Sequence, residues 1–309
     1  LNILLDYFFP ITAIEPTPAA STAFLKQVLV VVKPKVGATE DTITLCTTMS
    51  AVAAFTNNVE AQQLFNAGMS RVYVVAKDDL DLADILEGHE SDFFTILVSS
   101  DYNDTEMDAA DFGAFKGVVG MASEDDTKNA TRAAIANRSA WHSTATNKAK
   151  NMFYAFGKLL SNSLNWRNQQ YITMPLADDV ATLGEAETLF DDKINFVISD
   201  TEFGNRLALF AAGGKAIVAP YILKNLQIDM QSAALTYISG NQPAYTLKQA
   251  ALLEDELQKV VQDYIDDEEV ENGTVEVTLE EDNFVASGDI NVAEPKALWR
   301  IFAEMRQTL

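Results

Sequence analysis

The chain has 309 residues, 48% of them hydrophobic and 22% charged, enough apolar material for a packed core and for about two domains at roughly 150 residues each. Its formal net charge is -23, from 45 acidic against 22 basic side chains. Such a surface repels phosphate backbones and anionic lipid, and no apolar run approaches the ~20 residues of a membrane helix, so nucleic-acid binding and membrane insertion are not expected.

Residues 1–26 read as an N-terminal extended arm. The apolar stretch Ile3 to Phe9 runs into Pro10, Pro16 and Pro18, which forbid a helix and favour an extended chain. An extended apolar segment cannot bury itself, so it must lie on its own body or on another subunit. With Asp6 inside it and no basic leader, it does not read as a signal peptide.

Residues 27–240 read as an α/β body. Val28 to Val32 forms a buried strand and Thr42 to Leu45 a second candidate. A helix is expected from about Ser50 to Ala67, ended by Gly68, then strand Arg71 to Val75 and a short acidic helix from Asp79 to Glu87. Strand Phe93 to Val98, a short helix near Glu106 to Phe112 and strand Lys116 to Met121 follow. Continuous apolar strands alternating with helices mark a mainly parallel sheet covered on both faces. Beyond it come a helix from Thr146 to Leu160, strand Gln170 to Met174, helix Ala181 to Phe190 and strand Ile194 to Ile198. Helices are expected to dominate from Leu207 to Ile238.

Residues 241–292 read as a C-terminal helix and strand pair. Leu253, Leu257, Val260, Val261 and Tyr264 line one helix face, and the run Asp266 to Glu269 reads as a solvated turn past its end, because acid there opposes the dipole. Asn272-Gly273 opens an alternating strand, Thr274 to Leu279, and a second runs from Phe284 to Val292. Residues 293–309, introduced by Pro295, read as a terminal strand arm. The fold class is therefore a layered α/β body with extended N- and C-terminal arms and a smaller C-terminal α+β part.

Chemistry is sparse. Cys46, the one cysteine, excludes an intrachain disulfide and reads as a small core residue. His89 and His142 are the only histidines, and no Gly-x-Ser-x-Gly elbow accompanies them. Around Gly213-Gly-Lys215 a P-loop fails, since Leu209 and Ala216 occupy its Gly and Ser/Thr positions, and Asp111-Phe-Gly113 has no other kinase element beside it. Asn-x-Ser/Thr at Asn103, Asn129, Asn137 and Asn272 reads as coincidence. The best enzymatic lead is Asp101 and Asp200, each following a strand where α/β folds place ligands, with Asp104, Glu106 and Asp108 nearby. Two such carboxylates could hold Mg²⁺, but each alone reads as a turn cap. No catalytic, cofactor or metal residue is assigned.

Two segments carry a family resemblance: Ala61 to Val75 (helix, Gly turn, strand opened by Arg71) and Gly288 to Phe302 (alternating strand, Pro295, terminal strand). Together with the chain order, they resemble the contractile-tail sheath proteins of phages and related injection machines. Met69 after Gly68 departs from the family's small-residue turn. The resemblance implies a non-enzymatic, cofactor-free structural subunit of a virion's contractile tail, assembled in the host cytoplasm. Its expected partners are many copies of itself in a helical homo-oligomer, an inner tail tube protein, and baseplate and tail terminator proteins. It further implies that both arms leave the subunit and add strands to a neighbour's sheet, through Ile3, Leu4, Leu5, Tyr7, Phe8 and Phe9 at one end and Leu298, Trp299, Arg300, Ile301 and Phe302 at the other. At roughly 0.5–1.5 kcal/mol net per main-chain hydrogen bond, a donated strand with about four bonds contributes a few kcal/mol. Lys296, Arg300 and Arg306 give the C-terminal arm a basic tint. Three alternatives stay open: arms folded back on their own subunit, an Mg²⁺-dependent α/β enzyme using Asp101 and Asp200, and another virion or surface-array subunit.

Overall fold

A computed structural model describes residues 22–89, 92–161, 172–177, 182–200, 204–241, 246–280 and 285–293. The chain divides into two compact units, Ala20–Tyr221 and Ile222–Leu309, the latter grouped with Leu1–Ala19.

The first unit is built on a six-stranded sheet. Its strands are β1 (Val28–Val32), β2 (Thr44–Cys46), β3 (Val72–Ala76), β4 (Thr95–Val98), β5 (Val118–Ser123) and β6 (Arg138–His142), in the order β2-β3-β1-β4-β5-β6. All neighbours run parallel except β2, which pairs antiparallel with β3 at the edge. Every residue of β1, β4 and β5 is buried, as expected for strands covered on both faces. Cys46 is buried too, and burial pushes its thiol pKa up.

Between the strands lie α1 (Met49–Val52), α2 (Gln62–Asn66), α3 (Ala83–Leu86), α4 (Asp104–Asp108), α5 (Asp126–Ala133) and, after β6, α6 (Lys150–Ser161). On one face of the sheet Leu29, Val31, Ile96, Val98, Val119 and Met121 share a core with Leu82, Leu86, Met107 and Phe112 around α3 and α4. Across the other face runs α6. It approaches so closely at Gly120 that a Cβ there would lie 3.0 Å from the Met152 sulfur and 3.1 Å from the Phe156 ring.

The expected helix from Ser50 to Ala67 is two short helices, α1 and α2. The interruption contains Asn58, whose Oδ1 accepts the Glu60 N–H while its own N–H donates to Thr56 Oγ1; such local side-chain bonds compete with the helical ladder. Gly68 ends α2 at φ +110°. Its N–H donates to Phe65 O and that of Met69 to Leu64 O, the paired bonds of a Schellman turn. Buried Met69 and Leu64 occupy the two positions whose apolar side chains commonly meet across that motif, which accounts for a bulky residue after the glycine.

Among the elements absent from the sequence reading are α5 and β6. The segment Thr22–Lys26, counted in the extended arm, is instead a 3-10 helix with Phe24 and Leu25 buried; Phe24 packs edge-on against Phe94 at 6.0 Å between ring centroids.

Beyond α6 come α7 (Leu183–Asp191), the hairpin β7 (Val197–Asp200) with β8 (Gly204–Leu207), and a small hairpin of β9 (Ala211–Ala212) with β10 (Lys215–Ala216). Strands, not helices, therefore fill the stretch just after Leu207. Buried Asn195 ties this region to β6: its Nδ2 lies 2.8 Å from Ala140 O and 2.9 Å from Ala211 O, and its Oδ1 accepts the Ala211 N–H.

The second unit holds most of α8 (Val218–Asn241), then α9 (Leu247–Asp266) and an antiparallel pair, β11 (Asn272–Glu280) and β12 (Val285–Ala293). Thr246 caps α9, and Ala250, Leu253, Leu257, Val261 and Tyr264 form its buried face. Tyr264 Oη donates to Asp229 Oδ2 on α8 at 2.7 Å. Burial, with the Asp229 carboxylate next, pushes the Tyr264 phenol well above its ordinary pKa.

Candidate functional site

In this strand order the chain leaves β1 toward β3 on one side and returns to β4 on the other. The crevice past the carboxyl ends of β1 and β4 is therefore the switch point where open α/β sheets bind ligands. Here the chain's own side chains fill it. Glu60, 2% exposed, accepts the Ser100 N–H at 3.0 Å and the Ala149 N–H at 3.3 Å, and also accepts the Ser100 hydroxyl. It occupies the cradle of N–H groups, one after β4 and one at the entry to α6, where an anionic ligand would otherwise sit. Burial pushes the Glu60 carboxyl above the usual range, against the opposing pull of these donors, and nearby Asp101 adds to the rise.

Asp101 accepts from Asn58 Nδ2 at 3.1 Å, Ser99 Oγ at 3.3 Å and Thr56 Oγ1 at 3.5 Å, which is the turn-fixing role of an aspartate after a strand. Asp200 ends β7, which pairs antiparallel with β8, while Asn195 just before β7 bridges Trp141 of β6. Asp101 follows β4 in the middle of the six-stranded sheet, whereas Asp200 ends β7 of the two-stranded pair, so the two positions do not end neighbouring strands. The other acids of this region are paired with internal cations. Glu106 completes a capping box with Asn103 and meets Lys33 Nζ at 2.5 Å, and the Lys33 bond holds its carboxyl below the usual range. Asp108 accepts from Lys128 at 2.8 Å and from Arg132 Nη2 at 2.7 Å; Arg132, 3% exposed, also bonds Asp104 at 2.9 Å. Lys128 first, then Arg132, holds the Asp108 carboxyl low.

His89 Nδ1 contacts Asp92 at 2.6 Å and His142 Nδ1 contacts Asp126 at 2.9 Å. Asn129 is fully buried, so its Asn-x-Thr cannot accept a glycan. Among the described residues no group of three or more His, Cys, Asp or Glu is placed to hold a metal ion, and no helix is long and apolar enough to cross a membrane.

The strand pair of the second unit has two unlike edges. On β11 the outward main-chain groups are bonded to α9: Gln258 Nε2 donates to Gly273 O at 3.2 Å, Gln258 Oε1 accepts the Val275 N–H at 3.0 Å, and Glu254 Oε2 accepts the Val277 N–H at 2.9 Å. Since Val275 pairs with Ile290 and Val277 with Gly288, these are the non-hydrogen-bonded pairs of the ladder. The main-chain groups of Gly288 and Ile290 therefore point away from β11, and β12 has no further strand partner among the described residues. The expected contacts Ile3, Leu4, Leu5, Tyr7, Phe8, Phe9, Leu298, Trp299, Arg300, Ile301 and Phe302 lie outside the described residues. No feature of the sequence marked Gln258 or Glu254; they read as part of the polar helix face.

Neither a protein-family model nor a curated protein matches the sequence. Solved structures do. A chain in the anti-feeding prophage baseplate superposes with a TM-score of 0.67 at 11% identity, covering 94% of this chain and 95% of that one. The helical sheath of the anti-feeding prophage in its contracted state gives 0.62 at 11% identity, over 93% and 96%. The sheath tail protein from Listeria innocua gives 0.54 at 8% identity, over 88% and 96%. At such identities the likeness concerns the fold, and it extends over nearly the whole of every chain compared. The chain therefore has a sheath-like fold, that of the contractile-tail sheath proteins.

Proposed function

We propose that the chain is a structural, non-catalytic subunit of a contractile tail sheath, which polymerises into a helical cylinder around an inner tube and shortens to drive that tube through a target envelope. The observation that carries this reading is the sheath-like fold over nearly the full chain. The structure of the unit bodies supports it in two ways. At the switch point, the natural ligand site of the α/β body, Glu60, Asp101 and Glu106 are each bonded to the chain's own groups. Among the described residues the strand pair has one edge without a strand partner, on β12, to which an arm of a neighbour can add by main-chain bonds. Heterologous, non-closing contacts of this kind build helical arrays. Association with a baseplate fits the likeness to a chain of the anti-feeding prophage baseplate, and tube and terminator proteins complete the proposed set of partners.

Negative-stain electron microscopy of the full-length protein beside a variant lacking residues 1–19 tests the reading. The truncation spares the buried Phe24 and Leu25. Hollow tubes from the full chain, lost on truncation, are expected; monomers or small closed oligomers from both would overturn it.

A further inference from the structure

The contacts between α9 and β11 assign a direction to this assembly. Gln258 spends both atoms of its carboxamide on main-chain groups of β11, accepting one N–H and donating to one C=O as a strand residue would. Glu254, one helical turn earlier, takes the next outward N–H, that of Val277. The spacings agree, because four helical residues advance about 6 Å and two strand residues about 6.8 Å. The next position in the series is Ala250, which has no polar side-chain atom to offer. Packing alone does not require these bonds, since Leu253, Leu257 and Val261 already supply the buried face of α9. What the bonds do is occupy the edge of β11 on which a further strand would grow.

We propose that Gln258 and Glu254 form a strand-edge block that closes β11, so that a strand from a second copy of the chain adds to β12 alone. The proposal rests on the assembly reading above and adds to it a fixed side of growth. The incoming segment is identified by charge. Residues 270–293 carry Glu271, Glu276, Glu280, Glu281, Asp282 and Asp289 and no basic residue. Residues 294–309 carry Lys296, Arg300 and Arg306 against Glu294 and Glu304, a small basic excess, whereas residues 1–21 carry Asp6 and Glu15 and no Lys or Arg. The acidic pair thus complements the C-terminal segment of a second copy and not the N-terminal one.

The test is hydrogen–deuterium exchange of the full-length protein before and after assembly, read on separate peptides covering β11 and β12. The outward amides of β11 should be protected in both states. Those of β12 should exchange freely before assembly and slow roughly tenfold or more after it. Glu254→Ala with Gln258→Ala should speed β11 exchange about fivefold in the unassembled protein, as expected for lost hydrogen bonds. The wild-type comparison stands even if that variant does not fold. Tubes that form without added protection on β12 would overturn the edge assignment while leaving assembly intact. Fast β11 exchange in the unassembled wild type would overturn the block, and a chain that never assembles would overturn the assembly reading and this proposal with it.

Discussion

The Glu60 carboxylate accepts the main-chain N–H of Ser100 at 3.0 Å, binding the loop before α2 to the end of β4 across forty residues of sequence. Its folded pKa is raised by burial, so between the ordinary glutamate value and that raised value the folded chain holds a proton that the unfolded chain has released. The contribution of this group to stability therefore grows as pH falls through that window and is lost as pH rises through it. Glu106 and Asp108 behave oppositely. Their pKa values are lowered by Lys33 and Lys128, so their contribution is present above the unfolded value and disappears as pH falls through the folded one. In denaturant titrations from pH 7 toward pH 5, wild type should gain stability relative to Glu60→Gln. A difference that moves the other way would contradict this assignment.

Gly157 lies where α6 crosses α2. A Cβ there would sit 2.6 Å from Ala67 Cβ and 3.1 Å from Leu64 Cα. Alanine gains about 1 kcal/mol of helix propensity, but overpacking against a neighbouring backbone costs about 1–3 kcal/mol. Gly157→Ala should therefore lower stability by up to about 2 kcal/mol in chemical denaturation, although the same change in an exposed helix would raise it.

Asn195 is fully buried, and its side chain pairs with the main chain of Ala140 and Ala211. Asn195→Leu leaves the Ala211 N–H without that acceptor in a fully buried site. A loss of about 2–4 kcal/mol is expected, read as a drop in the denaturation midpoint at unchanged slope.

Tyr264→Phe removes the cross-helix bond to Asp229 and the bond that Tyr264 Oη accepts from Asn225 Nδ2, while keeping the ring. The expected cost is about 1–3 kcal/mol, because the acceptor is a carboxylate. Asp229→Ala combined with it should cost less than the sum of the two single changes, since both delete the Tyr264–Asp229 bond; full additivity in a double-mutant cycle would show that the two residues act separately.

The sheet was legible in the sequence where burial is two-sided. β1, β3, β4 and β5 stand out as continuous apolar runs because helices cover both faces. α5 was invisible to hydrophobic periodicity because its buried face is Asn129, Arg132 and Ala133, held by hydrogen bonds and an ion pair instead of apolar contact. β6 carries Arg138, Ser139 and His142, of which Ser139 is buried with its hydroxyl bonded to Ala211 O, Trp141 Nε1 and Asn195 Nδ2. The relation of Asp101 to Asp200 was hidden for a related reason: Asp101 follows β4 and Asp200 ends β7, and membership of one sheet is a tertiary fact. The two edges of the β11–β12 pair were equally hidden. Gln258 and Glu254 look like solvated polar positions until the strand they bond is in place.

Cryo-electron microscopy of the particles formed by the purified full-length chain tests the central claim most directly. The account predicts helical tubes in which β12 of every subunit carries an additional strand donated by a neighbouring copy. Particles whose β11–β12 pairs remain two-stranded, or a protein that stays monomeric, would contradict it.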